Sequence, residues 1–137
     1  MGVCMGIPAK WIPRLGFIVS MLAVGVPYWL IPYNSKNFSL PSALYGPQLV
    51  VPVLAAALAV GSGAIGFWKG FALIGAAIPA ALMARVVFEG ILDPTSHNLW
   101  PFEIVIGAMV SAPCAFAGAL VGWMVWKLRG GSSAIES

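Results

Sequence analysis

Four long apolar runs, separated by short polar segments, make up most of this 137-residue chain. A helix needs about 20 mainly apolar residues to cross the hydrocarbon core of a lipid bilayer, and each run is close to that length. Only 8% of the residues are charged, whereas soluble proteins contain about 25%. The sequence therefore predicts an all-α polytopic membrane protein. It argues against a soluble enzyme, a nucleic-acid-binding domain or a disordered segment.

The apolar runs predict four transmembrane helices that pack as one bundle. Their predicted boundaries are residues 15–31, 45–67, 70–92 and 102–126. Segments rich in Pro, Asn and Ser follow the first and third spans, and such segments favour loops. A tight turn at Trp68 and Lys69 is predicted to join the second span to the third, although Gly61-Ser62-Gly63 also resembles a break in a helix.

The basic residues near the span ends predict which side of the membrane each end faces. Five of them fall on one side of the predicted bundle: Lys10, Arg14, Lys69, Lys127 and Arg129. The loops on the opposite side carry Lys36 alone. Because Lys and Arg concentrate in cytoplasmic segments, the tails at 1–14 and 128–137 are predicted to be cytoplasmic. They flank a single transmembrane domain over residues 15–127, of a kind typical of small bacterial inner-membrane proteins.

Reporter fusions test this predicted orientation. A reporter fused after Ser137 should report a cytoplasmic location, and one inserted near Ser39 should report an exterior location, because of the five-to-one distribution of basic residues. Alkaline phosphatase, which is active only outside the cytoplasm, and a fluorescent protein, which matures only inside it, supply the measurement. The reverse pattern at both positions would contradict the orientation.

Spaced Gly, Pro, Ala and Val residues are compatible with an internal repeat. Five positions of the second span recur 61 positions later in the fourth: Gly46, Pro52, Ala56, Val60 and Gly61 correspond to Gly107, Pro113, Ala117, Val121 and Gly122. The first and third spans share a Gly-Phe start and a mid-span proline, Pro27 and Pro79. A repeat of this kind would consist of two helical hairpins in tandem. Chance is the alternative, since these residue types are common in all four spans.

Small residues mark the helix faces that allow close packing. They recur at spacings of four in the third and fourth spans: Ala80, Ala84, Gly107, Ser111, Ala115, Ala119, Gly118 and Gly122. Small side chains let helix backbones approach each other closely in a membrane. We expect these faces to pack against a neighbour, either within the chain or in a second copy.

Most of the ionisable side chains outside the basic side lie near the outer end of the third span. This outer cluster contains Arg85, Glu89, Asp93, His97 and Glu103. Arg85 and Glu89 are four residues apart and therefore share a helix face. Arg85 lies about 10 Å inside the end of its span at 1.5 Å per residue. A charge at that depth costs a few kcal/mol without a partner, and Glu89 is the nearest partner.

Several roles for the outer cluster are compatible with the sequence. Arg85 can pair with Glu89 or Glu103 as a clasp that fixes the third helix to the fourth. The carboxylates and His97 can form an ion or proton site. The cluster can also dock a partner protein, with Trp100 and Pro101 beside it. One histidine with three carboxylates is a poor ligand set for a transition metal, so no metal and no cofactor is predicted.

The motifs, cysteines and charges of the sequence limit the classes of function that it supports. The chain has no Gly-x-Ser-x-Gly, His-Glu-x-x-His or phosphate-loop motif, and Cys4 and Cys114 are too few for a disulfide framework. Arg85 is the one charge deep inside a span, whereas a lone transporter needs a polar path. The favoured prediction is a non-catalytic subunit of a homo-oligomer or a larger membrane complex. A small transporter or channel comes second, and a membrane enzyme acting on a lipid or periplasmic substrate comes third. The predicted partners are the lipid bilayer and other membrane subunits, and not nucleic acid.

Overall fold

The described part of the chain is entirely helical. A computed structural model describes residues 6–30, 44–94 and 100–131, and every regular element within these ranges is a helix. The α-helices are α1 (Ile12–Leu30), α2 (Val50–Gly61), α3 (Phe67–Gly75), α4 (Ala77–Leu92) and α5 (Trp100–Leu128). A single 3-10 turn precedes α1 at Ala9–Trp11, and another precedes α2 at Pro47–Leu49.

Three helical segments are long and apolar enough to cross a membrane. They are Ala9–Leu30, Phe67–Leu92 and Trp100–Leu128, and they correspond to the first, third and fourth predicted spans. The expected all-helical protein of membrane-spanning composition is thus confirmed. The number of spans and their orientation stay predictions.

The second predicted span, at 45–67, is shorter than expected. Its helical part, Pro47–Gly61, consists of a 3-10 turn of three residues and the twelve residues of α2. This length corresponds to roughly 24 Å, which is less than the roughly 30 Å of a hydrocarbon core. The helix ends early because Gly63 adopts a φ of +73° and donates its N–H to the carbonyl of Val60 at 3.0 Å. Glycine adopts this left-handed conformation without the strain of a Cβ atom.

The turn predicted at Trp68 and Lys69 is wrong. The chain reverses over residues 62–66, and Gly66 is the extended residue that precedes α3, with φ −70° and ψ 163°. Trp68 and Lys69 therefore lie in the first turn of α3. The Gly-Ser-Gly sequence has the conformational freedom to break the helix, and this local signal overrides the apolar residues that continue after it.

A break at Ala76 divides an otherwise continuous helical segment into α3 and α4. Pro79 has no N–H, so the carbonyl of Gly75, which lies four residues earlier, loses its helical donor. The hydroxyl of Ser111 on α5 donates to this carbonyl at 2.7 Å. A proline in one helix thus creates an acceptor that a polar side chain of another helix satisfies, and the contact fixes α5 against the break.

Removing the hydroxyl of Ser111 should lower the free energy of unfolding by an amount that depends on Pro79. Ser111→Ala is expected to lower the free energy of unfolding in detergent by about 1 kcal/mol. In a Pro79→Ala background the cost should fall, because the restored N–H at position 79 can donate to Gly75. Denaturant unfolding of the four variants completes the double-mutant cycle. An equal cost in both backgrounds would contradict the proline-linked hydrogen bond.

The close approach of α2 to α5 depends on glycine. A Cβ atom built on Gly61 would lie 3.3 Å from the Cα of Gly122, and one built on Gly118 would overlap the carbonyl oxygen of Val53. Gly122 likewise faces the backbone of Ala57. The order of these contacts shows that α2 and α5 run in the same direction, backbone against backbone. Two successive helical hairpins would also place these two helices in the same direction. The tandem repeat itself stays a prediction.

The small residues of α5 form its buried face. The buried positions of this helix are Gly107, Ser111, Ala115, Gly118, Ala119 and Gly122. On α4, Ala80 and Ala84 are only half-buried within the chain, and the prediction that their face packs against a neighbour stays a prediction. The buried positions of α4 include Ala77 and Ala81 instead. Ala81 packs close to α1 at Gly25, where an added Cβ atom would lie 3.2 Å from the Cβ atom of Ala81.

Candidate functional site

Arg85 of α4 is the buried charge around which the candidate site is built. Only 6% of its side chain is exposed, and its Nε donates to Oε1 of Glu89 at 2.7 Å. Its Nη1 donates to the backbone carbonyl of Tyr28 at 2.6 Å. The guanidinium carbon also lies 4.6 Å from the centre of the Tyr28 ring, within the range of a cation–π contact. The positive charge is therefore bound on several sides within the chain.

The backbone at Tyr28 explains why an arginine fits there. The helical donor for the Tyr28 carbonyl would be the N–H of residue 32, which is a proline and has none. A basic side chain can satisfy such a carbonyl. Arg85 thus joins α4 to α1.

Tyr28 extends the network to α5. Its hydroxyl donates to Oε2 of Glu103 at 3.3 Å. Glu103 lies in the first turn of α5, where a negative charge is favourable next to the unpaired N–H groups of a helix N-terminus. Tyr28, Arg85, Glu89 and Glu103 together form what we call the clasp, which connects α1, α4 and α5.

A second contact beside the clasp holds α1 to α4. The indole Nε1 of Trp29 donates to the backbone carbonyl of Ala81 at 3.0 Å. Gly25 lies one turn earlier on α1, and a Cβ atom at this position would come within 3.0 Å of the Trp29 ring. The missing side chain at Gly25 therefore gives the indole the space that its hydrogen bond requires.

The structure brings three residues of the predicted outer cluster together. Arg85, Glu89 and Glu103 all belong to the clasp. Asp93 is the exposed residue that ends α4, and its backbone N–H donates to the carbonyl of Glu89 at 2.7 Å. His97 lies outside the described residues. The role of the cluster as a whole stays a prediction.

Sequence reasoning missed the two aromatic residues of α1. Tyr28 and Trp29 are typical of an aromatic belt at a membrane interface, and that position was the only signal they carried. Tyr28 and Trp29 lie at the same end of the bundle as Arg85, which is in the C-terminal half of α4. Their proximity to Arg85 was therefore predictable once α1 and α4 were known to be neighbours. Nothing in the sequence shows which helix face each ring meets.

The chemistry of the clasp is that of internal charge compensation. The guanidinium of Arg85 has acceptors on two other residues, and the carboxylate of Glu103 accepts from a phenol. Among residues 6–30, 44–94 and 100–131, no group of three or more His, Cys, Asp or Glu side chains is placed to hold a metal ion. The geometry supports a structural role, in which polar groups fix the relative positions of three apolar helices.

Searches for related proteins give no relative from which a role for the clasp could be transferred. No family model, no curated protein and no solved structure matches this chain.

Proposed function

We propose that this chain is a small, non-catalytic membrane subunit that works in a homo-oligomer or a larger complex, in a bacterial inner membrane. The observation that carries the proposal is the internal compensation of Arg85, the one charge predicted to lie deep inside a span. Its guanidinium pairs with Glu89 and donates to the carbonyl of Tyr28 within the chain, as expected for a clasp. The clasp then serves to present the outer surfaces of the helices in a fixed arrangement.

Two properties of the helices favour a partner. In an 18-residue window of each of the three long apolar segments, only 22%, 33% and 28%, in chain order, is buried within the chain, so lipid or partner helices must cover most of this surface. The helical part before the turn at 62–66 is also shorter than a hydrocarbon core. A short helix is accommodated by thinning the bilayer or by associating with other proteins, and subunit contacts would cover part of the exposed apolar surface.

The mass of the purified protein in mild detergent tests the proposal. One chain has a mass of 14.3 kDa, and we expect particles whose protein mass is a multiple of this value or includes co-purifying membrane chains in fixed proportion. Light scattering combined with refractive index separates protein mass from detergent mass. Cross-linking in intact membranes before solubilisation controls for dissociation by detergent.

A folded monomer in both measurements would overturn the subunit proposal. Selective ion or proton flux in vesicles that contain only this chain, lost in Glu103→Gln, would instead support the transporter alternative. Folding of the Glu103→Gln variant is checked by its melting temperature.

A further inference from the structure

The buried apolar side chains form two separate cores along the bundle. The clasp-end core consists of Val24, Tyr28, Leu44, Ile78 and Leu82. The basic-end core, on the side of Lys69 and Lys127, consists of Ala56, Val60, Ile74, Ala115 and Ala119. Among the residues that the structure describes, none belongs to both cores. The bundle therefore consists of two packed halves that meet at a boundary between the cores.

Each half is fixed internally by its own contacts. At one end the clasp joins α1, α4 and α5 around the buried Arg85. At the other end, Gly118 places α5 directly against the backbone of α2. Edge-to-face ring contacts also join Phe67 and Phe71 of α3 to Phe116 of α5. Close packing and polar contacts of this kind keep the helices of one half in fixed relative positions.

The boundary crosses the α3–α4 segment at its break. Ile74 belongs to the basic-end core and Ile78 to the clasp-end core. Between them lie Ala76, at which the helix is interrupted, and Gly75, whose carbonyl loses its helical donor because of Pro79. The two halves are therefore connected here by a backbone with fewer hydrogen bonds than a continuous helix has.

The same boundary crosses α5 beside a second proline. Val110 packs against the clasp-end core and Ala115 belongs to the basic-end core, and Pro113 lies between them. Because proline has no N–H, the carbonyl of Met109 has no helical donor. Sharp kinks in helices occur mostly at proline. α5 is thus weakened at the level where Ser111 contacts the break in the α3–α4 segment.

The other two connections between the halves are also irregular. α1 passes from one core to the other between Phe17 and Val24, and Pro27 removes the helical donor of the Ala23 carbonyl beside this stretch. Leu49 packs against the clasp-end core, and the chain changes there from a 3-10 turn to α2, which contributes to the basic-end core. Each described connection therefore crosses the boundary through or beside a weakened stretch of backbone.

We propose that the boundary is a hinge at which the two halves of the bundle tilt relative to each other. The hydrogen bond from the Ser111 hydroxyl to the Gly75 carbonyl, at 2.7 Å, joins the two weakened helices at this level and holds them in the observed arrangement. Hinge motions are absorbed by a few residues at the ends of regular elements, and Ala76 is such a residue.

The hinge would connect the two membrane faces of the protein. Tilting moves the clasp end relative to the basic end, so a partner that binds one arrangement more tightly at one face also changes the geometry at the other face. A single chain can bend in this way. The hinge therefore does not depend on the subunit proposal, and the mass measurement above does not test it.

Distances between pairs of spin labels in detergent test the hinge. Leu58 on α2 and Phe88 on α4 are both 66% exposed and lie in different halves, and they are changed to Cys for labelling in a chain with Cys4→Ser and Cys114→Ala. Phe88 lies about 18 Å beyond Ala76 along the helix, so a change of about 20° in the hinge moves it by roughly 6 Å. We expect a broad distance distribution for this pair.

Substitutions at the boundary should change this distribution in opposite directions. Pro79→Ala combined with Pro113→Ala restores two backbone N–H groups and should narrow it, whereas Ser111→Ala removes the hydrogen bond at the boundary and should broaden it. Ser20→Ala is the matched control for Ser111→Ala, because Ser20 is also fully buried between the cores but its hydroxyl has no acceptor within the described residues. Pro101→Ala is the proline control, since Pro101 lies in the first turn of α5, where proline removes no helical hydrogen bond.

Label pairs within one half separate a hinge from general loosening. Leu58 with Met124 reports on the basic-end half, and Phe88 with Val105 reports on the clasp-end half; all four side chains are exposed. These pairs should keep the same narrow distributions in every variant. A single narrow distance across the boundary that neither Ser111→Ala nor the double proline variant changes would overturn the hinge. Equal broadening of the pairs within one half would overturn it as well. The proline variants keep the test decisive if Ser111→Ala does not fold, because alanine has the higher helix propensity.

Discussion

Arg85→Ala is expected to lower the free energy of unfolding in detergent by about 3 kcal/mol. The substitution leaves the Glu89 carboxylate, which is only 27% exposed, without its partner at 2.7 Å. It also removes the donor to the Tyr28 carbonyl and the cation–π contact with the Tyr28 ring. Most of the loss comes from the uncompensated charge that remains, since such a charge is costly in apolar surroundings. Denaturant unfolding of the purified protein supplies the measurement.

Two further variants make this result specific to the clasp. Arg14→Ala removes an exposed arginine at the start of α1, whose guanidinium carbon lies 5.3 Å from the centre of the Trp11 ring, and it should cost less than about 0.5 kcal/mol. Arg85→Leu combined with Glu89→Leu should recover most of the stability, because neither charge is then left unpaired. If Arg85→Ala is as stable as Arg14→Ala, the clasp does not hold the helices together.

Gly118→Ala is expected to destabilise the protein by about 3 kcal/mol. The new Cβ atom would overlap the carbonyl oxygen of Val53, and it would lie 2.9 Å from the side chain of Ala56. Backbone atoms cannot rotate away as the end of a flexible side chain can, so α2 must move away from α5. The loss of close backbone packing removes the contacts that hold α2 in the bundle. Unfolding in detergent again provides the free energy.

Gly90→Ala is the matched control for this substitution. Gly90 also lies in a helix, but a Cβ atom at this position meets nothing within 4 Å. Alanine has the higher helix propensity, so this variant should be more stable than the unmodified protein by up to about 1 kcal/mol. Similar stabilities of Gly118→Ala and Gly90→Ala would show that α2 and α5 do not pack through their backbones.

The contact between α2 and α5 bears on the proposed role. α2 and its 3-10 turn are too short to match a typical hydrocarbon core, so a fixed position of this helix depends on its neighbours. Gly61, Gly118 and Gly122 place it directly against the backbone of α5. A variant that loosens this contact is therefore expected to change the exposed apolar surface that we assign to subunit contacts.

Local features of the chain were sufficient to predict the class of protein and part of the candidate site. Apolar composition requires a membrane-spanning helical design, because an unpaired backbone amide is too costly in hydrocarbon. The Arg85–Glu89 pair is also local, since residues four apart share one face of any α-helix. The small residues of α5 were recognisable as a packing face for the same reason, because their spacing follows the helical period.

The tertiary structure decided the contacts between distant parts of the chain. Tyr28 lies 57 residues from Arg85 and 75 residues from Glu103, and no helical period connects them. The face of α4 that is buried within the chain, with Ala77 and Ala81, is set by packing against other helices, and the sequence did not distinguish it from the face of Ala80 and Ala84. The end of α2 was also uncertain from composition, because apolar residues continue beyond the turn, and the structure shows that the helix ends at the Gly-Ser-Gly sequence, where Gly63 has a positive φ. Periodicity determines what one helix can present to a neighbour, whereas the choice of neighbour depends on how all the helices fit together in space.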